Sequence, residues 1–253
     1  MSDLFQENNH RHLHGDSTKM ASYESVLIGE KVSLVHADPP YCILTRRRKK
    51  GDLRDPKKVK NENEAVTRFE NIKVYREFLN QWMPLAVNSL LPNGTICIWT
   101  NFLGKEPIKA LASSLGLNYW NEYQWAKLTK ESDGNEKMAR IYEVALIFVN
   151  GEIPELSLDD LPECWSVVSH YEEEGSATKW ENHPNHKPIK VIEPLIRRFT
   201  KIGDRVLDPF AGSGSCPEAC IKLNRSVSCI EILDKWAKIT QERIRFSIEN
   251  HSL

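Results

Sequence analysis

Residues 205–231 constrain the fold more than any other stretch. Arg205-Val206-Leu207 reads as a short strand, and Asp208-Pro209-Phe210-Ala211-Gly212-Ser213-Gly214-Ser215 follows it. A glycine-rich turn from strand to helix lets a ligand approach the backbone closely, and the helix start offers free N–H groups. Ser215 and Glu218 have the three-residue spacing of a capping box, and Pro217 suits an early helical position. The next strand, Ser226 to Ile230, ends in Glu231. An acid in that place, about 20 residues past the glycines, is the usual partner of ribose hydroxyls. The pattern Gly-x-Gly-x-x-Gly is incomplete, because position 217 is proline. That argues against a plain dinucleotide-dependent oxidoreductase.

A second constraint lies far upstream. Val32 to Ala37 reads as a short buried strand, and Asp38-Pro39-Pro40-Tyr41 follows directly. Proline fixes its own φ and restricts the residue before it, so the tetrapeptide is a stiff, extended turn. Neither proline has an N–H, so their carbonyls are acceptors with no donor beside them. A rigid edge carrying a carboxylate, a carbonyl and an aromatic ring suits a flat group that bears an NH2.

Between and around these segments, helix and strand patterns alternate, which predicts a mainly parallel sheet with helices on both faces and an antiparallel edge from the later strands. Residues 1–12 read as disordered or fraying. His14 to Ser17 is a turn, and Thr18 to Ile28 a short helix. Residues 64–91 carry an apolar helical stripe (Phe69, Ile72, Tyr75, Phe78, Leu79, Trp82, Leu85), with Pro84 expected to kink or split it. Leu91 to Gly94 is a turn and Thr95 to Trp99 a buried strand. Glu106 to Leu115 is a helix closed by Gly116. Tyr119 to Ala126 and Ile141 to Val149 are strands separated by a polar loop. Residues 150–182 show no clear period, and Trp165 and Trp180 stand there as isolated aromatics. A helix from His183 to about Phe199 has Pro188 in its first turn and an expected kink at Pro194.

The chain of 253 residues has the size of one large domain, 1–253. No apolar run approaches the roughly 20 residues that span a bilayer, and the N-terminus lacks an apolar signal-peptide core. Six scattered cysteines without a Cys-x-x-Cys read as reduced thiols in a cytoplasmic protein, with no metal site. Net charge is −1, yet residues 46–60 hold nine Lys or Arg against two Asp. Such a run is usually a solvated loop. In the loop at 42–62, just after the tetrapeptide, Arg46, Arg47, Arg48, Lys49 and Lys50 are candidates for phosphate contact.

His183-Pro184-Asn185-His186-Lys187-Pro188, the helix after it, the glycine turn and the strand-end Glu231 together resemble the cofactor half of the DNA amino-methyltransferases. Asp-Pro-Pro-Tyr after a strand resembles their catalytic motif. Because the tetrapeptide precedes the glycine turn, the order is the permuted one of the family's β group. The resemblance covers about residues 13–41 and 183–245; His186 and Ser215 stand where the family often has Gln and Thr. It implies a Rossmann-like α/β fold and an enzyme that moves a methyl group from S-adenosylmethionine to an exocyclic nitrogen in double-stranded DNA. It implies that Phe210, Gly212, Ser213 and Gly214 line the methionine end of the cofactor and that Asp208 helps hold that end. Glu231 would take the ribose and Asp16 the adenine, although Asp16 reads equally well as a helix cap. His183 and Lys187 would lie near the carboxylate, or serve only as cap and surface residues. The family also implies a target-recognition region within 150–182 and a possible homodimer.

The chemistry expected of Asp38-Pro39-Pro40-Tyr41 follows from the target. The lone pair of an exocyclic amine is conjugated into its ring. Hydrogen bonds from the NH2 to Asp38 and the Pro39 carbonyl would favour a pyramidal nitrogen and stabilise the positive charge that develops on it. Tyr41 would stack on a base flipped from the duplex. Asp at the first motif position favours adenine N6; cytosine N4 is the alternative, and a non-catalytic DNA-binding protein on the same fold a distant one.

Overall fold

In the computed structural model the described residues are 4–42, 69, 71–128, 141–152, 166–170, 179–181, 183 and 186–251. Their elements in chain order are β1 (Leu4–Glu7), β2 (His10–His14), α1 (Met20–Leu27), β3 (Val32–Ala37), α2 (Ile72–Asn88), β4 (Leu90–Thr100), α3 (Lys105–Ser114), β5 (Asn118–Leu128), β6 (Ile141–Val149), β7 (Ser166–His170), α4 (Ile189–Phe199), β8 (Arg205–Asp208), α5 (Ser215–Lys222), β9 (Ser226–Glu231) and α6 (Asp234–His251). The strands form one sheet in the order β1-β2-β9-β8-β3-β4-β6-β5-β7. Only β1 and β6 run against the others. The sheet is mainly parallel, as expected, but the antiparallel member among the later strands, β6, lies inside it, and the antiparallel edge strand is β1.

Alternation along the central strands fills two apolar layers, as a sheet covered on both faces requires. Val35 and Ala37 of β3, with Ile96 and Ile98 of β4, pack under α1, α2 and α3 beside Tyr75, Leu79, Trp82 and Met83. Leu34, Cys97 and Trp99 point the other way, against Val191, Ile192 and Leu195 of α4, Ala219 of α5 and Ile244 of α6. No helix among the described residues is long and apolar enough to cross a membrane. The five described cysteines, Cys42, Cys97, Cys216, Cys220 and Cys229, are free and buried; Cys164 lies outside the described residues.

Several local expectations give way to tertiary contacts. Residues 4–14 are not frayed: they form β1 and β2, and β2 pairs parallel with β9, Leu13 opposite Ile230. Their polar composition hides this. Arg11 pairs with Glu30 at 2.7 Å and donates to the Leu27 carbonyl at 3.0 Å, while burial pushes His12 down to about 4, which keeps it neutral. Pro84 does not split α2, which runs unbroken from Ile72 to Asn88. Burial of Tyr75, Leu79, Trp82 and Met83 on one face outweighs the single hydrogen bond that proline removes. Phe69 is outside the helix, bridged to Cys42. Residues 64–68 lie outside the described residues. Pro194 likewise sits within an uninterrupted α4, and Pro188 precedes that helix as its N-cap.

Leu91 to Gly94 falls within the bounds of β4 as an irregularity, since β3 pairs with Leu90 and next with Thr95. Ser215 makes no capping box: α5 is capped by Gly214, without a side-chain cap, and Ser215 and Glu218 are drawn into contacts with α6. The stretch without a clear period contains β7, parallel to β5, and Trp180 is buried against Trp236 and Ile239. The remainder of the expected recognition region (153–165, 171–178 and 182), and residues 43–62 of the basic loop with Arg46 to Lys50, lie outside the described residues.

Candidate active site

Parallel strands bring their carboxyl ends to one edge, and in open α/β sheets that edge is where ligands sit. Asp38 follows the end of β3, Asp208 ends β8 and Glu231 ends β9. They line one cleft of about 790 Å³ including its open mouth, together with His36, Pro40, His183, His186, Lys187, Phe210, Gly212, Ser213 and Trp236. The two distant sequence segments are therefore walls of the same cleft.

The glycine turn is held from both sides. Gly212 has φ +53, and a Cβ there would come within 3.3 Å of the His183 ring. Gly214 has φ +82, and its Cβ would meet the Thr240 backbone at 3.3 Å. Any side chain at either position is strained, and at Gly212 it would also crowd the cleft. Glu231 accepts from Gly212 N at 2.8 Å with one oxygen and from Leu233 N at 2.8 Å with the other. Burial raises its pKa against these N–H bonds. Below the turn, Arg243 reaches across from α6 to Glu218 at 2.5 Å and to the Ser213 carbonyl at 3.0 Å.

The remaining expected cofactor residues divide. Phe210 lies edge-on to Trp82, 5.0 Å between centroids. His183 lies against Trp236 at 4.4 Å. His186 Nδ1 is 3.3 Å from Ser213 Oγ and 3.2 Å from Ser215 Oγ. Burial keeps both histidines neutral, near 4 for His183 and near 3 for His186. Asp16 is turned to its own loop, where Oδ1 accepts from Thr18 N at 2.8 Å. The loop nevertheless abuts the site: Gly15 N donates to the Glu231 carbonyl at 2.9 Å, and Ser17 Oγ donates to the Pro209 carbonyl.

On the floor, His36, Asp208 and Cys216 bring ligand-type atoms within 4.8 Å of one another. His36 Nε2 accepts from Trp99 Nε1 at 2.9 Å. Burial holds His36 down at about 3, lifts Asp208 to about 7 and lifts the Cys216 thiol well above its usual range. A neutral imidazole and a protonated thiol leave this floor with little charge.

Asp38 is the centre of a tighter cluster than its sequence suggested. Tyr41 OH is 2.9 Å from Asp38 Oδ1 and 2.9 Å from Glu143 Oε2. Lys187 Nζ lies 2.5 Å from Asp38 Oδ2, 3.0 Å from Glu143 Oε2 and 3.1 Å from Tyr41 OH. Lys187 is thus a buried partner of the tetrapeptide and not a surface residue. Burial pulls its pKa down, but the Asp38 and Glu143 carboxylates outweigh that and raise it. Burial raises Asp38; Lys187 opposes the shift and Glu143 reinforces it. Glu143 escaped the sequence reading. The only signal was one acid in the otherwise apolar strand Ile141-Tyr142-Glu143-Val144-Ala145-Leu146-Ile147-Phe148-Val149. Because β6 runs against β4, its first residues arrive where the parallel strands end.

Comparison with known proteins agrees with this geometry. A family model described as DNA methylase, of the N6/N4 methyltransferase type, matches residues 32–242. The chain is 25% identical to the type II methyltransferase M2.DpnII of Streptococcus pneumoniae, over 94% of this chain and 91% of that one. It is 23% identical to M2.LlaDCHI of Lactococcus lactis subsp. cremoris, over 92% and 88%. Among solved structures, the M1.HpyAVI–SAM complex superposes with a TM-score of 0.64 at 19% identity, covering 92% of this chain and 98% of that one. The cytosine-N4-specific PvuII DNA methyltransferase gives 0.68 at 16% identity, covering 98% and 93%. The chain belongs to the N6/N4 DNA methylase family and is an S-adenosylmethionine-dependent DNA methyltransferase.

Proposed function

We propose that this chain is a site-specific enzyme that methylates the exocyclic N6 of an adenine flipped out of double-stranded DNA. The observation that carries the reading is that Asp38, Gly212 and Ser213 line one cleft. Asp at the first motif position, the commoner residue in the family's adenine enzymes, supports adenine over cytosine.

The cleft fits S-adenosylmethionine. Glu231 and Asp208 supply acceptors, Phe210 an apolar wall, and Gly212 leaves open the space that a Cβ would take before His183. When bound, this cofactor supplies an electrophilic methyl group. Glu231 would take the ribose hydroxyls, the loop that carries Asp16 would border the adenine end, and Phe210, Gly212, Ser213 and Gly214 would border the methionine end with His183 beside them. Asp38 and the Pro39 carbonyl accept hydrogen bonds from the target NH2, which stabilises the charge that develops on nitrogen. Tyr41 offers its ring to the base, with its hydroxyl anchored by two carboxylates. Lys187 acts beside Asp38, holding that carboxylate in place.

Mass spectrometry of nucleosides tests the base. DNA from a methylation-deficient host, treated with the protein and S-adenosylmethionine, should yield N6-methyladenine. N4-methylcytosine alone would overturn the adenine reading, and neither product would overturn methyl transfer to DNA. A second expectation concerns Arg46, Arg47, Arg48, Lys49 and Lys50. Neutralising all five should weaken DNA binding and reduce the slope of log K against log salt by roughly 0.9 for each phosphate that is no longer neutralised. An unchanged slope would place this run away from DNA.

A further inference from the structure

Proton counting around Asp38 leads beyond the tetrapeptide. Tyr41 has one hydroxyl proton but lies at hydrogen-bond distance from two carboxylates, Asp38 Oδ1 and Glu143 Oε2, both at 2.9 Å. It can donate to only one of them. The other short oxygen–oxygen contact becomes attractive when a further proton arrives on it, so the pair is spaced to receive one. Lys187 closes the ring from the opposite side, 2.5 Å from Asp38 and 3.0 Å from Glu143. Among the described residues, Lys187 is the ammonium that faces both carboxylates, and its charge is shared between them. The side chains of Asp38, Glu143 and Lys187 are 18%, 14% and 4% exposed, too buried for water to screen that charge fully.

Methylation of an exocyclic amine creates the need for such a proton site. The methylated nitrogen carries a positive charge until it sheds one proton. We propose that Glu143 is the second carboxylate of the reaction centre: Asp38 receives that proton, and Tyr41 relays it to Glu143. The inference rests on the amino-methyltransferase reading above. In the first step the N–H bond breaks, its electron pair stays on nitrogen, and an O–H bond forms on Asp38. In the second, Asp38 gives a proton to the Tyr41 oxygen while the Tyr41 hydroxyl gives its own to Glu143. Tyr41 ends neutral, Asp38 ends ionised for the next turnover, and Glu143 holds the proton until it leaves to solvent. Burial, with Asp38 and Glu143 nearby, raises the Tyr41 pKa, so the phenol passes a proton on without resting as tyrosinate.

Among the described residues, charged and titratable groups reach this ring from several walls. His36, neutral, lies on β3, Asp208 at the end of β8, Lys187 just before α4 and Glu143 on β6. Glu143 is therefore the group whose removal changes the charge at Asp38 while leaving the glycine turn untouched. With it gone, Asp38 loses a negative neighbour and its pKa falls.

The test is the single-turnover methylation rate of E143Q on DNA from a methylation-deficient host, followed from pH 5 to 9. S-adenosylmethionine affinity and thermal midpoint are measured alongside. The rate near pH 7.5 should fall roughly 100-fold, the lower end for loss of a positioned acid or base. The acid limb should move to lower pH, and cofactor affinity should stay within about twofold. Y41F breaks the relay with the ring kept, and should lose rate similarly; the double variant should be little worse than either single one, as for members of one unit. A wild-type rate and unmoved acid limb in E143Q would overturn the proposal. So would a rate loss matched by equal losses of cofactor affinity and thermal stability, since Glu143 would then only support Lys187. If the wild-type protein itself methylates no DNA under these conditions, the amino-methyltransferase reading fails and this inference with it, an outcome distinct from the other two.

Discussion

Asp38→Ala should abolish methyl transfer while S-adenosylmethionine still binds. The carboxylate sits at the sheet edge with Lys187 at 2.5 Å and Tyr41 at 2.9 Å, so its position is fixed before any base arrives. Fixed acceptors aimed at a developing charge cost nothing to reorganise during reaction, and losing one such group typically costs 10²- to 10³-fold in rate, or about 3–4 kcal/mol. Here the loss should be at the upper end or beyond. Alanine also leaves the buried Lys187 with a more positive surrounding, which opposes positive charge on the amine. The groups assigned to the cofactor, Glu231 and the glycine turn, belong to the other half of the cleft and keep their bonds. Incorporation of labelled methyl into DNA, with cofactor titration by calorimetry, measures both effects. Retained turnover would remove Asp38 from the mechanism; loss of binding without further loss of rate would place it on the cofactor instead.

Arg243→Met should be the most destabilising single change near the site. Arg243 is fully buried on α6, yet it contacts Glu218 at 2.5 Å, the Ser213 carbonyl at 3.0 Å and Ser215 Oγ at 3.2 Å. Methionine fills much of the volume but leaves Glu218 without its closest cation and the Ser213 carbonyl without that donor. Breaking a buried pair from one side typically costs about 3–5 kcal/mol. Lys222, 2.8 Å from Glu218 and 31% exposed, places the expected loss near the lower figure. For a chain of this size that corresponds to a fall in thermal midpoint of roughly 10 °C. The pH dependence has a definite sign. Burial opposes ionisation of Glu218, but Arg243 and Lys222 outweigh it and hold its pKa below the usual value. Its contribution is therefore full above the ordinary carboxylate range and lost as pH falls through the depressed folded value. The variant should lose most of that acid-side slope. Denaturant unfolding at neutral and acid pH measures both; an unchanged midpoint would mean that water substitutes for the guanidinium.

Legibility in the sequence followed the range of the interactions involved. β3 and β9 were readable because buried strands on a two-sided sheet are short apolar runs, Val32–Ala37 and Ser226–Glu231, whatever lies beside them. The glycine turn was readable because φ values of +53 and +82 at Gly212 and Gly214 demand glycine locally. The rigid Asp38–Tyr41 turn was readable because proline restricts its own backbone. β1 and β2 were not: His10-Arg11-His12-Leu13-His14 becomes a strand only because β9 offers an open edge and Glu30 receives Arg11. Pro84 and Pro194 misled because burial of a helix face is a tertiary quantity and exceeds the loss of one backbone bond.

The same division runs through the site. Local sequence determined that the chain carries a glycine cradle, a strand-end acid and a stiff acidic edge, since each is dictated by backbone sterics within a few residues. Only the tertiary structure decided that they share one cleft, that Lys187 faces Asp38 rather than solvent, and that Glu143 joins them. Those partners lie 149 and 102 residues along the chain from Asp38 and Tyr41 respectively. Charges that meet across such separations are set by strand order and direction, with β6 reversed against β4, and no local pattern of side chains encodes that.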